Sequence, residues 1–486
     1  MSRIVILGAG VAGHTAAQHL KRLLGRKHQI TVVSPNSKWN WIPSNIWVGV
    51  GRMTASQVTF PLAPIYKRKG IEFFQAKAFE IWPEGSSGHE KPFVRIEHTA
   101  QDPRGTIQDV EYDYLINATG PQLRFDLTPG LGPDGNSVSV CTYGHALEAA
   151  KDLKATIQRL KQGHRQTLIV GMGHGTCTCE GAAFEYTFNV DHELRRAGVR
   201  DLADLVYLTN ETELGDFGVG GIDFEMQGQR VTAEQWMNGI FAQHGVATIM
   251  GAHVTKVDPG VVHYEQVDGT MGQRTFDFAM LLPPFRGVAM QAFNKTGQDI
   301  TERLFMPNGF MKVDAKYDAK PFEEWEAEDW PKTYESPEYG NVFAAGIAFA
   351  PPHGISRPKK SPNGTVIAPA PPRTGMPSGV QGRTVAETIS SRIKSGNPEL
   401  EPKTASMAEM GAACIASVGN GMFDGSAATI MMSPIVPDRK KYPATGRDLQ
   451  VTHGELGLAG HWIKRLLHTM FIYKAKWLPG WSRIPE

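Results

Sequence analysis

Short, wholly apolar runs that end in glycine punctuate this chain. Residues 3–7 (RIVIL) are apolar after their first member and lead straight into Gly8, the pattern of a strand buried on both faces of a parallel sheet. Apolar residues at helical spacing fill 14–24, and a second apolar run occupies 29–33. The same order returns at 168–170 (LIV), again ending in glycine, with a partner run at 205–208. Strand, glycine turn, helix and strand, twice over, predict an α/β fold with two parallel sheets. The last pattern is of another kind. Across 461–477 the residues Trp462, Ile463, Leu466, Leu467, Met470, Phe471 and Tyr473 fall on one side of a helix, flanked by Lys464, Arg465, His468 and Lys476.

Composition narrows the class. With 486 residues, 41% hydrophobic and 20% charged, the chain is of ordinary globular make-up and long enough for two or three packed units. A formal net charge of +1 gives no basic surplus for nucleic acid. Four cysteines are too few to staple a secreted scaffold of this size, so any pairing points to catalysis; the C-x-C at 177–179 lacks the second pair a zinc site needs, and no metal is expected. No apolar run reaches the ~18 residues of a membrane span, and the N-terminus reads as folded structure from the start, without a secretory signal. The amphipathic stripe at 461–477, with Trp477, Trp481, Lys474 and Arg483 nearby, predicts a helix lying in a membrane interface; a helix packed on the core would show the same stripe.

The two glycine turns differ in chemistry. The first is a complete G-x-G-x-x-G through Gly8, Gly10 and Gly13, set between strand and helix, where backbone amides can reach a pyrophosphate. Its second strand ends in Ser34 rather than an acid, leaving Ser34 or Asn36 to contact a ribose hydroxyl. The second turn starts with Gly171, Gly173 and Gly175, but Thr176 stands in place of the third glycine and Cys177 and Cys179 crowd the phosphate position. Its partner strand ends in Thr209 and Asn210, neither an acid for a ribose nor an arginine for a 2′-phosphate, which argues against NAD(P). In the ligand's place come Cys179 and Glu185 at the start of the next helix, whose N-terminus is expected to lower the thiol pKa.

Further segments carry a resemblance. Residues 112–120 (YDYLINATG, with Thr119 and Gly120) and 341–347 (NVFAAGI, with Gly346 and Ile347) resemble the FAD-site segments of two-dinucleotide-domain flavoproteins, Ile347 replacing the usual aspartate. The implied fold is glutathione-reductase-like: two Rossmann-like domains, the FAD domain formed by 1–145 and 300–395, the second domain, without an NAD(P) site, by 146–299, and a quinone- and membrane-association region by 396–486. More specifically, residues 179–185 (CEGAAFE), 141–145 (CTYGH), 43–51, 283–287, 372–375 and 414–419 (CIASVG) resemble sulfide:quinone oxidoreductases, with all three family cysteines in order. The chain departs from that family at Cys177, at Asp216, where a histidine is expected, and in the Pro- and Lys-rich stretch 353–372, which reads as an inserted surface loop.

The resemblance implies sulfide oxidation through a redox pair, Cys179 and Cys414, with the thiolate released at Cys414 passing two electrons to FAD and thence to quinone. It implies Glu185 as proton acceptor, provided burial lifts its pKa. Cys141 would bond FAD or help release the sulfur product, and His145 would assist proton transfer. Three other readings share these features: the flavin subunit of a flavocytochrome c sulfide dehydrogenase, a type II NADH dehydrogenase, and a non-catalytic FAD-binding protein. The expected partners are sulfide, quinone and a membrane surface, with homo-oligomers compatible with the sequence.

Overall fold

The computed structural model describes residues 1–226, 228–373, 375–419 and 421–486. Its first sheet is built on Arg3–Leu7, which pairs in parallel with Gln29–Ser34 on one side and Tyr114–Asn117 on the other, in the register Ile4↔Ile30, Ile6↔Val32 and Val5↔Leu115. Glu72–Trp82 continues the sheet in parallel, and Phe93–His98 and Ile107–Glu111 extend it as an antiparallel edge. Ile4, Ile6 and Leu7 are fully buried, as a run without polar alternation requires of a strand covered on both faces. Helix α1 (Val11–Leu24) starts three residues earlier than the spacing predicts, because Gly13 is taken into its first turn. That glycine is obligatory: a Cβ there would lie 2.1 Å from the Gly8 carbonyl oxygen.

After helix α2 (Tyr143–Lys161) a second parallel sheet forms, in the order Ala247–Ile249, Ala203–Leu208, Gln166–Met172 and Phe278–Leu282. Helix α3 (Glu180–Arg196) follows its central strand, and an antiparallel meander of three strands spans Ala252–Asp258, Val261–Gln266 and Met271–Thr275. The fold is thus α/β with two Rossmann-like units, and the chain then goes back to the first. Val342–Ala344 adds to the first sheet beside Tyr114–Asn117, and helix α4 (Gly375–Ser395) packs on α1 so closely that a Cβ on Gly382 would meet the Ala12 carbonyl oxygen at 2.3 Å.

The C-terminal region is an antiparallel sheet, Ala412–Gly419, Gly425–Met432 and His453–Gly457, covered by helix α5 (Leu458–Ala475). No helix of the described residues is long and apolar enough to cross a membrane. The expected stripe on α5 divides in two: Trp462, Ile463, Leu466 and Tyr473 are exposed, Leu466 at 57%, while Leu467, Met470 and Phe471 are half-buried. Lys464 and His468 do not flank the apolar stripe in solvent but turn inward, as does Lys474, which is 3% exposed. The tryptophans beyond the helix are not interfacial either. Trp477 is buried against His14, and Trp481 packs on His19 and Trp477. The apolar area beneath the helix and the carbonyls of its last turn, which accept from His14 and Gln18, outcompete exposure.

Gly8 holds the two halves of the first sheet's rim together. Its φ is +98° and a Cβ would sit 2.1 Å from the Ala118 carbonyl oxygen, whereas a Cβ on Gly10 would meet open space. Gly8→Ala should therefore cost about 2 kcal/mol or more and visibly lower the thermal midpoint, with Gly10→Ala close to wild type. Equal midpoints in a melting experiment would contradict the close approach.

Candidate functional site

The first rim gathers residues distant in sequence. Gly8 lies against Ala118 and Thr119, and Gly346 (φ +69°) against Ala12 and Ser378, with its N–H donated to Gln381 at 2.8 Å. Thr119 donates its hydroxyl to Asn117 at 2.9 Å, and Gly120 faces open space. Ser34 is buried, its Oγ accepting the Asn36 N–H at 3.3 Å. At Gly10 the N-terminus of α1 carries no side-chain cap, so its first amides are available to an anion. An uncapped helix end beside an open glycine is what the diphosphate of FAD requires, and these residues fit that group.

Arg373, within the 372–375 motif, is a half-buried cation the sequence did not single out as a site. Its Nη1 donates to the carbonyls of Ile347 and Phe349 at 2.6 and 2.7 Å, its guanidinium lies over the Phe310 ring, and burial pulls its pKa down to about 9. It therefore locks Ile347 and faces Cys179 with positive charge. Thr374 of the same motif lies outside the described residues.

All four cysteines are free thiols. Cys179 is the N-cap of α3 and adopts a left-handed conformation (φ 73°), a backbone state that costs a non-glycine residue energy and concentrates at functional sites. Its thiol is pushed up to about 12, first by burial, then by Glu180, with smaller contributions from Cys141 and Cys414. The thiol pKa is therefore raised, not lowered as the helix N-terminus predicts, because desolvation and a neighbouring carboxyl outweigh the helix end. Cys414 sits on Ala412–Gly419 over the first turn of α3, where a Cβ on Gly181 would approach its Sγ to 3.0 Å. Burial raises it to about 11, against the pull of Lys464. Cys141, also near 11 through burial, precedes α2 and interacts with Cys179, so three thiols converge. Cys177 is separate in kind: wholly buried, it donates its S–H to the Leu282 carbonyl at 3.1 Å.

Glu185, one and a half turns into α3, is buried and paired with Lys464 of α5; its other oxygen accepts the Ser417 N–H at 3.3 Å. Burial raises its pKa while Lys464 draws it down. Lys464 also donates to the Ile415 carbonyl at 2.8 Å, next to Cys414. The signal for it was present: His461, Lys464 and His468 share one helical face, a polar stripe that reads as solvated until α5 is docked. His145 stands in the first turn of α2 with its ring edge-on to Phe125, its Nδ1 buried without a partner among the described residues, and burial lowering its pKa.

The stretch 353–372 is more than a surface loop. Its short hairpin, Lys359–Lys360 with Val366–Ile367, is anchored by Asn363 and Thr365 on Glu265, and the chain then crosses the second glycine turn. Ala368 and Ala370 donate their N–H groups to the carbonyls of Gly175 and Cys177 at 2.8 and 2.9 Å, and Thr178 donates to Pro371 at 3.1 Å.

Residues 2–283 match the model of the pyridine nucleotide-disulphide oxidoreductases, and the chain belongs to that family. Within it the chain is 25% identical over 475 residues to the sulfide-quinone reductase of Aquifex aeolicus, covering 97% of this chain and 91% of the relative. The solved structure of the Aquifex aeolicus sulfide:quinone oxidoreductase superposes with a TM-score of 0.74 at 24% identity, covering 98% and 92% of the two chains. NDH2 of Plasmodium falciparum, solved with NADH, gives 0.64 at 11% identity, covering 98% and 96%.

The buried Lys464–Glu185 pair generates a pH prediction. Lys464→Met leaves the carboxyl buried alone, which should cost about 3–5 kcal/mol where it is ionised. An acid whose folded pKa is raised binds its proton more tightly folded than unfolded, so its contribution is full below its ordinary 4.5 and is lost as pH rises through the folded value. As pH rises above the ordinary carboxylate range, the variant's midpoint should fall more steeply than that of wild type. Parallel curves would refute the pairing.

Proposed function

We propose that the chain oxidises sulfide and passes two electrons through FAD to a membrane quinone. The observation that carries this reading is the convergence of Cys141, Cys179 and Cys414, with Arg373 reaching from Cys179 to the rim of the cofactor-binding sheet. Similarity along nearly the whole chain to a sulfide-quinone reductase supports it. FAD is the cofactor and supplies the two-electron acceptor when bound. Cys179 and Cys414 form the bridge that hydrosulfide opens, by attack on one sulfur and release of the other as thiolate. Lys464, which lowers the Cys414 pKa, makes that sulfur the better leaving group. Glu185 holds Lys464 in place and receives a proton in turn.

The type II NADH dehydrogenase reading is disfavoured, because residues 366–371 lie across the turn where a second dinucleotide would rest. A soluble flavocytochrome subunit or a non-catalytic FAD protein leaves the outer face of α5 without a role. Trp462, Ile463 and Leu466 stand exposed beside Met422 and Phe423, the latter 78% exposed, and Trp462 is tied to the Met422 carbonyl at 2.7 Å. That apolar surface suits the acyl boundary of a bilayer. On the side of α5 that faces α1, Trp41 stacks on both Trp39 and Phe471.

An anaerobic titration tests the chemistry. Sulfide should bleach the flavin while NADH and NADPH leave it oxidised; Cys179→Ser and Cys414→Ser should each abolish bleaching, with the double variant little worse and Cys177→Ser close to wild type. Rapid reduction by NADH would overturn the reading.

A second experiment addresses the membrane. Removing 461–486 would also strip Lys464, Lys474 and Trp477 from the interior, so surface substitutions serve better. Trp462→Ser with Leu466→Ser should keep sulfide-driven bleaching but lose sedimentation with liposomes and most quinone reduction. Undiminished liposome binding would exclude this face.

A further inference from the structure

Glu180 follows Cys179 directly, is fully buried, and neither of its carboxyl oxygens has a hydrogen-bond partner among the described residues. The Asn210 amide is close enough to Glu180 to draw its pKa down somewhat, but its Nδ2 donates to the carbonyls of Gly175 and Cys177 at 3.3 and 3.2 Å and makes no well-formed bond to the carboxyl. A carboxyl so placed is costly unless it is neutral or has work that requires it. Facing it is a second buried acid, Glu211, which accepts from Thr209 at 2.9 Å, Tyr207 at 3.3 Å and the Phe217 N–H at 2.9 Å. Tyr207 reaches the Glu180 carbonyl as well, at 3.4 Å. Beyond Glu211 lies half-buried Asp216, where the family resemblance leads one to expect histidine; it accepts from Ser356 and, at 3.2 Å, from the N–H of exposed Gly220.

The other charged or titratable groups around this line are few. Cys177 shares the turn with Glu180, and Arg447 faces Asp216, with its own guanidinium spent on the carbonyls of Val219, Gly221, Pro434 and Ile435. Among the described residues no cation pairs with Glu180 or Glu211. Burial raises both: Glu211 reaches about 7, with Asp216 adding to the rise, and Glu180 lies well above its ordinary value, with Glu211 and then Asp216 adding to burial.

We propose that Glu180 is the proton carrier of Cys179, connected to solvent through Glu211 and Asp216. The inference rests on the sulfide reading above and assigns the fate of one proton in it. Hydrosulfide attacks the Cys179 sulfur of the bridge; a Cys179–S–SH bond forms, the bond to the Cys414 sulfur breaks, and that thiolate leaves with the electron pair. The Cys414 sulfur then bonds the outer persulfide sulfur to give a three-sulfur bridge; the two electrons lost would go to bound FAD, and one proton leaves from the persulfide S–H. Glu180 accepts that proton as its own moves to Glu211, and Asp216 delivers one to water.

Site-resolved alkylation of the dithiol-reduced holoenzyme by iodoacetamide, followed by mass spectrometry across pH, reads the coupling without sulfide. Glu180→Gln should shift the Cys179 midpoint down by roughly one pH unit, since an ionised neighbour no longer opposes the thiolate, and leave Cys414 in place. In stopped-flow reduction by sulfide at neutral pH, Glu180→Gln should be about 100-fold slower, with Glu180→Asp partly restored. Superimposable Cys179 curves, or an unchanged reduction rate, overturn the proposal. If Glu180→Gln fails to fold, Glu211→Gln is read in the same way, with a smaller downward shift expected and no shift overturning it. Wild-type flavin that sulfide does not reduce would sink the sulfide reading, and the alkylation curves would still decide the role of Glu180.

Discussion

One buried ammonium organises the reactive half of this molecule. Lys464 leaves the inner face of α5, meets the Glu185 carboxylate of α3 and the Ile415 carbonyl beside Cys414, and so fastens three elements that are far apart in sequence. Burying a charge is tolerable where it is hydrogen-bonded and its partner is buried with it, and Lys464 has two acceptors, the Glu185 carboxylate and the Ile415 carbonyl, with the Trp47 ring beside it. The consequence is geometric. With α5 fixed on α3, the strand carrying Cys414 is held over the first turn of α3, and the outer face of α5 is fixed as the apolar surface of the C-terminal region. The thiol pair and the exposed face are therefore set by a single contact.

The fold was largely legible because its signals are local. Ile4, Ile6 and Leu168 sit in runs too short and too apolar for anything but covered strands, and each run ends in a glycine that close backbone approach demands. The candidate site was legible as to residue types, since thiols and a carboxyl crowd the place where a nucleotide turn would hold its phosphate. What the sequence could not yield was the environment. Cys179 reads as activated by a helix end, yet its thiol is raised by burial and by Glu180, a residue whose only advertisement was its place next to a cysteine.

Helix α5 shows how a periodicity can be right and its polar partners misassigned. Lysines and histidines beside an apolar stripe look solvated when the helix is considered alone, because nothing in a heptad-like spacing says which face docks. The structure spends the face bearing His461, Lys464 and His468 on buried bonds to Ser417, Glu185 and Ser44, and leaves Trp462, Ile463 and Leu466 outside. A helix that buries polar side chains and leaves half of its apolar stripe outside is partly inverted relative to an ordinary surface helix. Such inversion is stable when the outer medium is itself apolar, which is the physical content of a membrane-facing surface.

The second dinucleotide unit follows the same economy of substitution. Its sheet and glycine strand are kept, with Gly171 at φ +157° and a hypothetical Cβ only 1.7 Å from the Leu208 carbonyl oxygen, so the backbone requirement outlives the ligand. The space a pyrophosphate would need is taken by the chain itself: a Cβ on Gly175 would lie 2.8 Å from the Val366 carbonyl oxygen and 2.9 Å from His253. Behind that turn stand two buried acids, Glu180 and Glu211. Exclusion of water behind this segment raises the carboxyl pKa values of Glu180 and Glu211, and a raised carboxyl next to a thiol is suited to moving protons.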